Sequence, residues 1–441
     1  MSSSKVFRVF PNSGSLLQAD FASGSYIHSK GKKYLDLTAG GTSFAILGWS
    51  DELVNESIRA QLHRYAHIDY KIWDDPNLEV LASLILGNNL KTLNKVYFSG
   101  NSGAEACEAA MKISFQVNKQ LGFKNKKWFI SRKQSYHGST ADALVLGDRP
   151  NLEFYKEMLS PFRKQIPMHH FKKLAHPEET GQEYAIRSAN ELETMILQLG
   201  PENVSGFVAE TMMGGLIGDV PPVEGYWRRV REICDEYKVH LILDEVYCGT
   251  GTSGRYFCFE YDFIEPDMVF IGKTLAAGYG AISAVITSDQ IHDSIRKSLD
   301  SRLQHTTTHQ GHSLAVAAAI AVQSRIREGA FVEEVYEKGI HFRKLLENRL
   351  NKFTNIVDIR GRGLRFSIEH NINPRDQVDF GSAFESIMKD EYGMLTNAKW
   401  HRVCFTPALI VSYEEIEQSV NAIEKTFDYL FSKMQFSFEP N

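Results

Sequence analysis

The sequence predicts an α/β protein: a large domain built on a mostly parallel sheet flanked by helices, followed by a smaller α/β domain. Three observations predict it. Short apolar runs bounded by breaking residues recur through the middle of the chain: "KVYFSG", "KKWFISR", "SGFVAE", "VHLILDEV", "DMVFIGK" and "ISAVITS". They lack the polar–apolar alternation of a half-exposed strand, which indicates burial on both faces. Helical patterns lie between them, as the right-handed crossovers of parallel strands require.

Taken in order, the N-terminal "SYIHSKGKKYLDLTAG" reads as a hairpin, with strand-like residues on both sides of a turn at Gly31. From "DELVNESIRAQLHRYAH" the apolar residues recur at helical spacing, and the six runs come after it. "SLAVAAAIAVQSRIREGAF" is an alanine-rich helix. Beyond it, long amphipathic helices such as "FVEEVYEKGIHFRKLLENRLNKF" alternate with strands in "GLRFSIEH" and "RVCFTPALIV". The expected division is 1–55 as the N-terminal part of the small domain, 56–329 as the large domain and 330–441 as the C-terminal small domain.

Composition excludes several classes. With 441 residues, 43% of them apolar, the chain can bury a large core. A formal charge of -5, with no block of like charges, offers no field to gather nucleic acid or an anionic membrane. No apolar stretch approaches the roughly 18 residues of a membrane span, and "MSSSKVFRVFPNSG" lacks the apolar core of a secretory signal, so a cytoplasmic location is expected. Five cysteines without a C-x-x-C pair or regular spacing argue for reduced thiols rather than disulfides or zinc.

Open parallel sheets bind ligands beyond the carboxyl ends of their strands, so the residues just after each run carry the functional information. "SGNSGAEACEAAMK" is a small-residue loop running into a helix, suited to holding an anion on backbone N–H groups; a packing turn reads the same way. "QSYHGST" offers Tyr136, His137 and Gly138, an aromatic that could lie flat on a planar ligand. Glu210 ends another run. Asp244 comes directly after three branched aliphatics, and a carboxylate so placed needs a cation; no histidine or second carboxylate stands at metal-ligand spacing, whereas a protonated ring nitrogen would serve. The adjacent Glu245 is expected to point to water. Lys273, at the end of the next run, is an amine that could form a Schiff base, with nearby glycines leaving room for movement. An anion cradle, an aromatic wall, a carboxylate and a lysine together describe a pocket for pyridoxal 5′-phosphate.

These residues resemble the class III, or omega, aminotransferases, fold type I enzymes dependent on pyridoxal phosphate. The resemblance runs from about residue 25 to about residue 425 and implies a seven-stranded sheet, a small domain made by both chain ends, and a homodimer with shared active sites. "SGAEACEAAMK" is similar to the family's phosphate loop, which assigns Ser102, Gly103 and Ala104 to phosphate; "YHG" assigns Tyr136 to the cofactor ring, with His137 beside it. "LILDEVYCGTGTSGRYFCFE" and "PDMVFIGK" resemble the most specific family segment. They place Asp244 on the ring nitrogen, Val246 behind the ring and Lys273 as the Schiff-base and catalytic residue, with Glu210 also at the cofactor. "TTHQGHSLAVAAA" gives Thr308 to the neighbouring subunit's phosphate, and Trp73 in "HIDYKIWDDP" is expected to line the substrate pocket.

Thr252, Thr211 and Ser313 depart from the usual arginine, proline and proline of the family. Family members acting on α-amino acids place an arginine before a P-P-L-like segment; here Cys404 takes that position and Arg402 lies two residues earlier, on the same strand face but about 7 Å away. The implied reaction is transfer of an amino group from an amine or ω-amino donor to pyruvate or 2-oxoglutarate, with the cofactor holding it as pyridoxamine phosphate. Relatives of this fold also include aminomutases, epimerases and decarboxylases, and a non-catalytic binding protein is the remaining alternative. His305, His309 and His312 are read as making interface hydrogen bonds rather than holding metal. Arg362 and Arg365 are read as solvated or paired residues of a strand-entry turn.

Overall fold

Lys30 and Gly31 both have positive φ (49° and 76°), the geometry that folds a chain back on itself in two residues. In the computed structural model, which describes residues 5–9, 16–150, 152–298, 300–434 and 436–439, this turn joins the second and third strands of an antiparallel ladder, β1 (Phe21–Ser23), β2 (Tyr26–Ser29) and β3 (Lys32–Asp36). Residues 1–4 and 10–14 of the opening stretch read for a secretory signal lie outside the described residues.

The central sheet contains β4 (Leu93–Phe98), β5 (Trp128–Arg132), β6 (Arg163–Ile166), β7 (Val204–Glu210), β8 (His240–Asp244), β9 (Met268–Ile271) and β10 (Ala284–Ser288). Their spatial order is β4-β10-β9-β8-β7-β5-β6. Neighbours from β9 through β6 pair in parallel. The six apolar runs each supply one strand; β6, sequence "RKQI", lies at the edge and carries no apolar signal. β10 runs antiparallel to both β9 and β4, which makes the sheet mostly rather than wholly parallel. The link from β9 to β10 holds only the 3₁₀ turn Lys273–Leu275 and no crossover helix, so the chain returns in the opposite direction.

Every residue of β7 and β9 is buried, and alternate side chains enter different cores. Leu241, Leu243, Val269 and Ile271 join one apolar cluster, while Ile242, Met268 and Phe270 join another with the helix Gly103–Gln120. This two-sided burial explains why the runs lack alternation.

The C-terminal segment adds β11 (Ile356–Arg362), β12 (Arg365–His370), β13 (Met394–Leu395), β14 (Asn397–Lys399) and β15 (Arg402–Phe405). Four of them form the sheet β11-β12-β15-β14. β13 instead pairs with β3, so the two ends of the chain share one sheet. All five cysteines are free and four are buried. Among the described residues no helix is long and apolar enough to cross a membrane.

Phe270, fully buried in β9, tests this core. Phe270→Ala is expected to lower stability by about 3–5 kcal/mol, read as a shift of the urea unfolding midpoint.

Candidate active site

Because β7, β8 and β9 are parallel and in register, their carboxyl ends open on one edge, and there a cavity of about 690 Å³ forms. Ser102, Gly103, Ala104, Tyr136, His137, Glu210, Asp244, Val246 and Lys273 all line it. Thr308, Trp73 and Arg402 do not: Thr308 and Trp73 are exposed, and Arg402 is buried.

The helix Gly103–Gln120 begins at the cavity, with Ser102 as its cap accepting from the Glu105 N–H. The first N–H groups of a helix have no partner within it, so this end could hold an anion. Glycine is required at 103, since a Cβ there would stand 2.6 Å from the Val246 methyl group. The residues at the start of the helix and the side chain of Val246 are therefore packed into one wall.

Asp244 and Glu210 are register partners on adjacent strands, both nearly without solvent contact. Asp244 accepts from the Val246 N–H at 3.0 Å and shares a 2.8 Å hydrogen bond with Nδ1 of His137. Glu210 accepts N–H groups from Tyr136 (3.0 Å), Gly214 (2.9 Å) and Gly215 (3.2 Å), and so ties together the two loops that frame the cavity. Burial pushes the Glu210 carboxyl above the usual range, against the pull of His137. The Arg149 guanidinium lies 4.3 Å from the centre of the Tyr136 ring.

Lys273 follows β9 by one residue, Gly272, and lines the same cavity as this carboxylate pair. Its Nζ lies 5.6 Å from the centre of the Tyr247 ring. Burial pushes its amine below the usual lysine range; Asp244 and Glu210 oppose that shift, and Arg365 and Lys399 reinforce it. The glycines around it serve close packing rather than free movement. Gly272 lies against the backbone of Gly103, and a Cβ on Gly278 would meet the Phe44 ring at 2.5 Å.

Several features escaped the sequence reading. Phe44 and Tyr247 also line the cavity, brought there by the N-terminal segment and by the residues after Val246. His137 meets Asp244 across 107 residues of sequence, a pairing that no spacing rule signals. Glu245 does not point to water: it is fully buried and accepts from the N–H groups of Cys258 (2.7 Å) and Phe259 (2.8 Å). Thr211, where a proline is usual, donates its N–H to the Asp244 carbonyl at 3.2 Å, a bond proline could not make. Arg362 is paired with Asp262, as anticipated, but Arg365 is fully buried and neither solvated nor bonded to a carboxylate.

The residues present suit pyridoxal phosphate: an anion cradle at a helix start, a buried carboxylate able to face a protonated ring nitrogen, and an amine of lowered basicity. A family model described as "Aminotransferase class-III" matches residues 11–427. The chain belongs to the class III aminotransferases. It is a pyridoxal-5′-phosphate-dependent transaminase. This aminotransferase is 33% identical to gamma aminobutyrate transaminase 2 of Solanum lycopersicum over 425 residues, covering 93% of this chain and 91% of the relative. It is 31% identical to an uncharacterized aminotransferase of Schizosaccharomyces pombe, covering 92% and 91% respectively. Among solved structures, the omega transaminase of Pseudomonas jessenii in complex with PMP superposes with a TM-score of 0.87 at 28% identity, covering 94% of this chain and 92% of that one.

The lowered basicity of Lys273 gives the aminotransferase a signature. In the cofactor-free protein, Lys273 is expected to react with trinitrobenzenesulfonate at a pH where the exposed lysines are still protonated and slow. Peptide mapping of the labelled protein over a pH series checks this.

Proposed function

We propose that this aminotransferase takes the amino group of an ω-amino donor and delivers it to pyruvate or 2-oxoglutarate, with Lys273 as the residue that bonds the cofactor and moves the proton. The observation that carries the reading is that Lys273, Asp244 and Glu210 line one cavity, with the basicity of the Lys273 amine lowered by burial. Relatives named gamma aminobutyrate transaminase and omega transaminase support a donor whose amine is remote from its acidic group. Pyridoxal phosphate, when bound, supplies an aldehyde for amines to condense with and a ring that takes up electrons from the donor carbon.

The rest is the work of this chain's own side chains. Ser102, Gly103 and Ala104 hold the phosphate at the helix start. Tyr136 and Val246 bound the ring on its two faces. Asp244 holds a proton on the ring nitrogen, and His137, bonded to one of its oxygens, fixes its orientation. Glu210 keeps the two framing loops in place. Lys273, neutral at lower pH than an exposed lysine, would accept the proton of the donor carbon and give it back during transfer.

Thr308 and Trp73 suit a homodimer with shared active sites. Both are exposed in the single chain, and Ile72 (76% exposed) and Phe154 (84%) offer apolar surface for a second copy to cover. Arg402 is assigned to the substrate carboxylate although it does not itself line the cavity: among the described residues Nε and Nη1 are buried without a partner, and Nη2 reaches the carbonyl of Gly215, a residue of the cavity wall, at 3.5 Å. A reducing compartment such as the cytosol suits the five unpaired cysteines.

Borohydride treatment of the holoenzyme is expected to fix the cofactor to Lys273, and Lys273→Ala is expected to abolish both that attachment and transfer. Labelling elsewhere would overturn the assignment. In a donor panel monitored by the half-reaction, Arg402→Ala is expected to weaken carboxylate-bearing substrates by about tenfold or more while sparing simple amines. Equal effects on both groups would remove Arg402 from substrate recognition.

A further inference from the structure

Arg365 is the first residue of β12 and is fully buried, yet among the described residues its guanidinium touches no carboxylate. Nη2 donates to the Ser43 carbonyl at 3.1 Å and Nη1 to the Thr406 carbonyl at 3.4 Å, while Nε has no partner. The carboxylate whose charge it feels is Asp219. Both oxygens of Asp219 are already bonded, to the hydroxyls of Tyr247 (2.7 Å) and Ser367 (2.6 Å). A buried cation so poorly compensated destabilises the fold relative to an apolar side chain of similar size. Its position beside the active site offers a reason for it.

The guanidinium lies 5.1 Å from the centre of the Tyr247 ring, and Nζ of Lys273 lies 5.6 Å from the centre of the same ring. Two cations thus share one aromatic side chain, itself part of the cavity wall. We propose that Arg365 is a positioning residue for transamination, whose buried positive charge keeps the proton off the Lys273 amine. The proposal rests on the reading of Lys273 as the reacting amine.

The groups facing Lys273 decide whether that charge matters. Asp244 of β8 and Glu210 of β7 hold a proton on it; Lys399 of β14 and Arg365 of β12 drive one off. His137 is engaged with Asp244, and Tyr247 presents its ring while its hydroxyl serves Asp219. Lys399 is exposed, so solvent and salt screen it. Arg365 is screened by neither. On its other side Arg365 faces Tyr247, Asp219 and Cys248, and both oxygens of Asp219 are occupied by the hydroxyls of Tyr247 and Ser367.

Removing a positive charge near an ammonium stabilises the ammonium, so a neutral substitution raises the pH at which Lys273 loses its proton. The test compares wild type with Arg365→Met, Arg365→Gln and Arg365→Lys in two ways: a pH titration of the visible band of the holoenzyme without substrate, and the pH profile of Lys273 labelling in the cofactor-free chain. The neutral variants are expected to move both midpoints up by about one unit, and the lysine variant to stay near wild type. Arg365→Gln supplies the neutral comparison should Arg365→Met fail to fold. Midpoints unmoved in a folded neutral variant, or moved equally in Arg365→Lys, would overturn the proposal. Borohydride fixation in wild type separates the outcomes: attachment at Lys273 with unmoved midpoints defeats only the role of Arg365, whereas attachment elsewhere defeats the functional reading.

Discussion

The in-register pairing of β7 with β8 sets Glu210 directly beside Asp244, two buried carboxylates with no arginine between them. The rest of the site is built around that constraint. Neighbouring strands stand about 4.8 Å apart, so their terminal acids repel unless donors and cations are brought to them. Glu210 is satisfied by three backbone N–H groups and Asp244 by His137 and the Val246 N–H, and each bond fixes a loop that would otherwise be free to shift. Lys273, arriving from β9, lines the same cavity from the next strand along.

The same crowding explains the small residues. Gly103 lets the helix start approach Val246, and Gly272 lets the lysine turn lie against Gly103. Helix start, the residues after β8 and the lysine turn are thus packed closely against one another. A site built this way depends little on flexible loops for its geometry.

Much of this was legible because parallel strands buried on both faces leave continuous apolar runs, and the residue at the end of each run must lie at the ligand edge. Lys273, Asp244 and Glu210 could be located from that rule alone. The features that stayed hidden depend on contacts distant in sequence: His137 on Asp244, Phe44 arriving from the N-terminal segment, and Arg365 behind Tyr247. β6 was missed because an edge strand needs little apolar surface, and Glu245 was misplaced because its partners, the N–H groups of Cys258 and Phe259, lie beyond an irregular segment. The burial of Arg365 contradicts the ordinary preference of arginine for water, and such contradictions gather where a protein trades stability for chemistry.

The reversed direction of β10 has an effect on how the pocket can diverge. Since the chain turns back at the ligand edge instead of crossing the sheet, residues 272–283 form one short tether carrying both the Lys273 amine and, at Gly278, Gly280 and Ile282, part of the enclosing wall. Inserting or deleting a residue in that tether would displace amine and wall together. New substrate shapes are more accessible through single side-chain exchanges on the opposing segments, at Phe44, Met212 and Tyr247, which line the same space from separate stretches of the sequence.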